Sequence, residues 1–316
     1  MGKIVVLDGY TLNPGDLSWD ALKQLGEVAI YDRTSGQDVA ARIGDALVVL
    51  TNKTPISREV LDACPGLRYI GVLATGYNVV DVDAAREKGI AVTNIPTYGT
   101  AAVAQYTFAL LLELCHQVGR HSESVHAGKW QEKGDFCYWL TPQMELAGKT
   151  IRIIGFGRIG KAVARIALTF DMKVLVYDRY FQKSELDVAA VELDVLLQNS
   201  DVITLHCPQT QENRGLINAE SIAKMKDGVL LLNDARGGLV EEQALAEALR
   251  SGKVAGAAVD VVSEEPISDV NSLLSAPNCI ITPHIAWASF EARRRLMGIA
   301  VENVAAFLEG RPVNLV

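Results

Sequence analysis

The chain has 316 residues, 49% hydrophobic and 22% charged, an ordinary globular composition with room for two domains. Its net charge of −8 and pI near 5.2 exclude general binding to nucleic acid or to anionic membranes. No apolar run approaches the roughly 18 residues that span a bilayer, the first residues lack a signal-peptide pattern, and Val6 stands where a myristoylation site needs Ser or Thr.

Residues 3–7 form a short β-branched strand, followed by a loop over 8–15 punctuated by Asn-Pro-Gly. An amphipathic helix is predicted over 19–25, a strand over 28–31, a helix over 39–43 and a buried strand over 46–50. A helix over 57–63, with Ser57 as its N-cap, leads to a strand over 69–73, a helix over 82–88 and a strand over 90–93. This β-α-β-α-β alternation predicts a parallel sheet with helices on both faces. Residues 100–118 then read as one long helix, apolar nearly all round, to be buried between elements or between subunits. A polar, aromatic stretch over 128–141 follows, with Trp130, Phe136, Tyr138 and Trp139.

The alternation resumes with IRIIGFGRIG over 151–160. An apolar strand breaks at Gly155, Gly157 and Gly160 complete G-x-G-x-x-G, a helix follows, and a second strand over 172–178 ends in Asp178. Gly155 allows a tight turn, Gly157 lets a pyrophosphate approach the backbone, and Gly160 lets helix and strand pack closely. The helix N-terminus offers free N–H groups to the phosphates. Asp178 is placed to accept from an adenosine ribose and to repel a 2′-phosphate, which favours NAD over NADP; Arg179 pulls the other way. A lone glycine turn is a weak signal, but strand, turn, helix, strand and acid in order make a dinucleotide site.

Further strands are predicted over 202–207, 229–233, 255–262 and 279–282, with helices over 241–250 and 291–308. Ligands of open α/β sheets lie beyond the carboxyl ends of the strands. There stand Arg236, Asp260, Glu264, Glu265 and His284. An arginine to fork an anion, a histidine to move a proton and a carboxylate to orient it suit carbonyl reduction. Spacing alone leaves open a surface arginine, a packed histidine and a loop Glu-Pro. His206, at another strand end, reads as structural. His116, His121 and His126 recur every five residues, off any one helical face, so no metal site is expected. The five cysteines are scattered with no C-x-x-C, three of them in apolar or strand-like surroundings that suit reduced, buried thiols, and no disulfide is expected.

The sequence resembles the D-isomer-specific 2-hydroxyacid dehydrogenases over essentially its whole length. The resemblance rests on GFGRIG at 155–160, LHCP at 205–208, NDARGGLV at 233–240, VDV at 259–261 with Glu265-Pro266, and TPHIA at 282–286. Within the family it is most similar to glycerate dehydrogenases (hydroxypyruvate reductases), through LDGYTLNPG at 7–15, LATGYNVVD at 73–81 and DFCYW at 135–139. It implies two doubly wound parallel-sheet α/β domains, one Rossmann-like for the cofactor and one flavodoxin-like for the substrate. The substrate-binding domain would be discontinuous, 1–98 plus 287–316, and residues 99–286 would bind NAD and carry a dimerisation helix and arm, with the active site in the cleft.

By resemblance Arg236 binds the substrate carboxylate and carbonyl, His284 is the acid/base, and Glu265 rather than Glu264 is its partner because it directly precedes Pro266. Cofactor contacts are implied at Gly155, Phe156, Gly157, Arg158, Ile159, Gly160, Asp178, Cys207, Pro208, Ala235, Asp260 and His284, with Asp260 near the nicotinamide amide. Thr75 and Gly76 would hold the substrate carboxylate through backbone N–H groups, and Trp139 would reach the active site of a partner in a homodimer. The implied reaction is NADH-dependent reduction of a small 2-oxo acid, hydroxypyruvate first and glyoxylate second, by a cytoplasmic enzyme. Rival readings are a short phosphoglycerate or D-lactate dehydrogenase, or a non-catalytic NAD(H)-sensing regulator. Two residues depart from the family pattern: Asp234, expected on the same side as Arg236 and able to dampen its charge, and Arg152, on a strand where a small residue is usual.

Overall fold

A computed structural model describes residues 2–316, with the side chains of 194–196 set aside. The chain divides into two compact units, Met1–Gly99 with Ala288–Val316, and Thr100–Trp287. Among the described residues no helix is long and apolar enough to cross a membrane.

The first unit is built on β1 (Lys3–Val6), β2 (Glu27–Ile30), β3 (Val48–Thr51), β4 (Tyr69–Val72) and β5 (Ala91–Thr93). They pair in the order β2-β1-β3-β4-β5, all parallel. β3 and β4 are buried at every position, which is why their sequences read as unbroken apolar runs rather than alternations. The helix Phe290–Leu308 belongs to this unit. Phe307 packs on Tyr69 at 4.7 Å between ring centroids, and Arg293 forks onto Asp16 at 2.8 and 2.6 Å. The Asp8 carboxylate accepts three backbone N–H bonds, from Asn52, Lys53 and Thr54, at 2.6 to 2.8 Å, and so shapes the loop after β3.

The second unit holds β6 (Thr150–Ile154), β7 (Lys173–Tyr177), β8 (Ala189–Ala190), β9 (Val202–Leu205), β10 (Val229–Asn233), β11 (Val254–Val259) and β12 (Cys279–Ile281). The order is β12-β11-β10-β9-β6-β7-β8, again all parallel. The chain runs outward from β6 to β8, then returns to β9 on β6's other side. That reversal opens a crevice between the carboxyl ends of β6 and β9. One face of the sheet packs under the helices Thr100–His116 and Arg158–Thr169, and the other under Ala219–Lys224 and Glu242–Ser251.

Several elements differ from the sequence expectation. The long helix stops at His116 because Gln117 takes a left-handed φ of 45°, and a second helix, Val118–His126, follows. It is not buried all round: Ala101, Gln105 and Ala109, four residues apart, are exposed along one line. Ser57 occupies the N-cap position of Arg58–Ala63, but its side chain makes no capping bond. The short helices Lys129–Lys133, Leu193–Gln198 and Ala219–Lys224 and the two-residue β8 were not foreseen.

Candidate active site

The glycine turn fits a dinucleotide. Gly155 ends β6 at φ +96°, and a Cβ on it would lie 2.5 Å from Cys207 N, so the loops after β6 and β9 approach as closely as glycine allows. A Cβ at Gly160 would sit 2.1 Å from Gly155 O, whereas one at Gly157 would meet nothing within 4 Å. The turn is thus packed shut behind and open in front. Gly157 is the N-cap of Arg158–Thr169, and no side chain caps it, so the first-turn N–H groups face the opening.

At the end of β7, Asp178 Oδ2 accepts from Phe156 N at 2.6 Å and Oδ1 from Tyr180 N at 2.8 Å. The Phe156 N–H is therefore committed to Asp178, and the Phe156 ring is buried against Phe181. Arg179, the residue that weakened the preference for NAD, points its guanidinium at Glu212, 2.5 Å away. After β9, Asn213 shapes the segment around Pro208 through a bond to Pro208 O of 2.8 Å. The neighbouring Cys207 thiol is pushed up to about 11 by burial, which leaves it unreactive.

The loop after β10 carries Arg236. Asn233 pins it twice, donating to Arg236 O at 2.9 Å and accepting from Ala235 N at 3.1 Å. A Cβ on Gly237 would overlap the Val262–Ser263 peptide, at 1.9 Å from Val262 C. Arg236 is left exposed, with one guanidinium N–H on Ala235 O.

His284 and Glu265 meet, Nδ1 to Oε2, at 2.7 Å. Both are partly exposed, and Glu265 Oε1 also accepts from Val262 N at 3.3 Å. His284 holds φ +56°, a left-handed conformation that a non-glycine residue keeps only when its surroundings fix it. They do: its N–H donates to Asp260 O at 2.8 Å, and its carbonyl accepts from Trp287 Nε1 at 2.9 Å. The buried Asp260 carboxylate accepts from Thr282 Oγ1, Ile285 N and Ala286 N at 2.7 to 2.9 Å. It grips the loop on both sides of the histidine.

The two departures from the expected pattern are both buried. β10 ends at Asn233, so strand alternation no longer governs the next residue. Asp234 turns inward, to Thr107 and His206, instead of lying beside Arg236. Arg152 is 2% exposed on β6 and its pKa is lowered by burial; nothing in the structure explains the choice of arginine there. His206 is likewise internal, Nε2 at 2.9 Å from Thr204 Oγ1.

Elsewhere in this unit the aromatic arm is held by His121, whose Nε2 accepts from Leu140 N at 2.9 Å, while Trp139 is 68% exposed. In the first unit the Thr75 hydroxyl donates to Ile95 O, and no hydrogen bond among the described residues uses the Thr75 or Gly76 N–H.

Comparison with known proteins settles the family. Residues 108–286 match the family described as D-isomer specific 2-hydroxyacid dehydrogenase, NAD binding domain. The chain belongs to the D-isomer-specific 2-hydroxyacid dehydrogenases. It is 60% identical to a hydroxypyruvate reductase of Blautia hydrogenotrophica, over 99% of each chain. It is 39% identical to a glycerate dehydrogenase of Methylorubrum extorquens, over 99% of this chain and 98% of that one. Among solved structures, the D-lactate dehydrogenase from Aquifex aeolicus complexed with NAD and lactic acid superposes with a TM-score of 0.82 at 32% identity. That match covers 98% of this chain and 96% of the other. The family is one of NAD-dependent oxidoreductases, and the unit around β6–β12 is its NAD-binding domain.

Proposed function

We propose that this dehydrogenase reduces hydroxypyruvate, and more slowly glyoxylate, to the D-2-hydroxy acid, and oxidises D-glycerate in reverse. The observation that carries the chemistry is the 2.7 Å contact between His284 and Glu265 on a loop that Asp260 holds rigid. The similarity to a hydroxypyruvate reductase across the whole chain supports the choice of acid.

Bound NADH supplies the hydride to the carbonyl carbon. His284 gives its proton to the carbonyl oxygen as charge builds there, and recovers one from solvent for the next turnover. Glu265 keeps the imidazole in one orientation. Arg236 meets the substrate carboxylate and the carbonyl with a forked pair of donors. The N–H groups of Thr75 and Gly76 also bind the carboxylate.

Gly155 to Gly160 take the pyrophosphate, with Arg158 and Ile159 giving first-turn N–H groups. Asp178 accepts from the adenosine ribose. Cys207, Pro208, Ala235 and Asp260 line the rest of the cofactor's path. Glu212 neutralises Arg179, so the balance beside the ribose is negative and NADH is preferred over NADPH. The protein works in the cytoplasm, where buried thiols such as Cys64 and Cys115 stay reduced.

Initial rates of NADH and NADPH oxidation with hydroxypyruvate, glyoxylate, pyruvate and phosphohydroxypyruvate test this reading. Hydroxypyruvate with NADH is expected to lead, and Asp178→Ala to narrow the gap between the two cofactors by roughly tenfold, about 1.4 kcal/mol. A different acid in the lead would discard the glycerate assignment. No turnover with any acid, despite bound NADH, would favour a sensing role instead.

The exposed line Ala101, Gln105 and Ala109 and the exposed arm aromatics Phe136 and Trp139 support a homodimer, with Trp139 entering the partner's active site. Sedimentation equilibrium should give twice the chain mass. A monomer at micromolar concentration would remove this part of the reading.

A further inference from the structure

Beneath the Arg236 loop lies a buried polar cluster that the chemistry above does not use. Asp234, the first residue past β10, has a fully buried side chain. Its Oδ2 bonds Thr107 Oγ1, from the helix Thr100–His116. Its Oδ1 lies 3.3 Å from His206 Nδ1, at the end of β9, and finds no well-aligned donor among the described residues. The Asp260 carboxylate, beyond β11, adds a like charge to its surroundings.

The single hydroxyl proton of Thr107 limits the states open to this acid. Thr107 Oγ1 also lies 2.9 Å from Val103 O, one helical turn back. A hydroxyl has a single proton, and a carbonyl can only accept. If Thr107 gives its proton to Val103 O, the proton in its second bond must come from Asp234 Oδ2. The alternative is a carboxylate in a dry site with the Thr107 hydroxyl and its own backbone N–H as donors, one poorly aligned His206 N–H and a second carboxylate nearby, and such a charge is costly to bury.

The neutral acid instead fits a directed set of bonds. Thr204 Oγ1–H donates to His206 Nε2, Asp234 Oδ2–H to Thr107 Oγ1, and Thr107 Oγ1–H to Val103 O, while His206 Nδ1 lies 3.3 Å from Asp234 Oδ1 without good alignment. Burial acts the same way at both titratable members, pushing Asp234 up to about 7 and His206 down to about 3.

We propose that Asp234 is a buried, protonated carboxylic acid that acts as a positioning residue, tying the Arg236 loop to the helix Thr100–His116 and to the end of β9. Asn233 fixes the loop's outer side, Asp234 its underside, and only Arg236 is left pointing out. Ionisation of Asp234 puts a charge in this dry site and turns the Thr107 proton from Val103 O to Asp234 Oδ2, which loosens the loop. The part concerning Arg236 rests on its proposed substrate contact; the protonation state does not.

Asparagine is the test, because its amide keeps the carbonyl oxygen and puts an N–H donor where the acid has its O–H. In the full-length protein, infrared difference spectra of wild type against Asp234→Asn at pH 6 should show a protonated-carboxyl band that fades as pH rises past about 7. A folded-state pKa raised from 3.8 to about 7 means stability is fully present below pH 3.8 and is lost as pH climbs to 7. The wild-type Tm should therefore fall relative to that of Asp234→Asn over that interval and run parallel above it.

In kinetics, Asp234→Asn should keep the KM for the oxo acid within about twofold of the low-pH wild-type value and hold it above pH 8, while Asp234→Ala raises KM roughly tenfold. Absence of the infrared band, or an Asn variant as damaged as the Ala variant, overturns the neutral acid. If no oxo acid is turned over at all, the infrared and melting results still decide the protonation state, and only the substrate reading fails.

Discussion

His284→Ala is expected to lower kcat for 2-oxo acid reduction by about 10²- to 10⁴-fold, the usual worth of a positioned general acid. NADH affinity, read by fluorescence, should stay within about twofold, because the proposed contacts to the dinucleotide's phosphates and ribose are the glycine turn and Asp178, on other strands. The magnitude follows from geometry. The imidazole is oriented by Glu265 at 2.7 Å and its backbone is locked at φ +56°. A water molecule entering the vacated space would lack that orientation. Glu265→Gln should give a smaller loss in kcat, since the amide oxygen still accepts from Nδ1–H but is a weaker, neutral acceptor. If His284→Ala turns over within tenfold of wild type, the proton comes from elsewhere.

Most of this architecture is legible in the sequence, and for definite reasons. β3, β4, β6 and β10 are buried at nearly every position, so they stand out as apolar runs between turns. Arg236, Glu265 and His284 follow three separate strands, and the rule that ligands gather beyond strand ends brings them into view with Asp260 and Glu264, though only the resemblance chooses Glu265 over Glu264. The close contact of His284 with Glu265 then depends on Asp260, whose partners at 282, 285 and 286 lie over twenty residues away. No local pattern announces it.

Alternation would put Asp234 on the side of Arg236 only if the strand continued, and β10 ends at Asn233, where the chain turns. The break at Gln117 left no mark either, since glutamine has no preference for a left-handed φ. The helix Ala219–Lys224 did leave one. Asn218 and Ser221 form a reciprocal capping box, a pattern that was present but followed by too short an apolar run to notice.

Asp260→Ala should be among the most damaging single changes in the chain, in stability and in catalysis together. The carboxylate is 1% exposed and accepts three hydrogen bonds. Two of the donors left behind are backbone N–H groups that cannot turn away. Each buried donor left unpaired costs roughly 1–3 kcal/mol, so a loss of about 3 kcal/mol or more is expected. For a unit of this size that is a fall in Tm of roughly 6 °C or more. His284 should lose its fixed conformation at the same time, because its own N–H bonds Asp260 O within the same grip.

Asp260→Asn separates positioning from contact with the cofactor. Its amide keeps one oxygen for Thr282 and Ile285 but turns an N–H₂ toward Ala286 N, donor against donor. If Asp260 acts by holding the His284 loop, the Asn variant should lose kcat and Tm together while NADH affinity holds. If it acts mainly on the nicotinamide amide, NADH affinity should fall and Tm should stay put. The three donors favour the first outcome: with Thr282, Ile285 and Ala286 on it, the Asp260 carboxylate has about one of its roughly four acceptor positions left for a ligand.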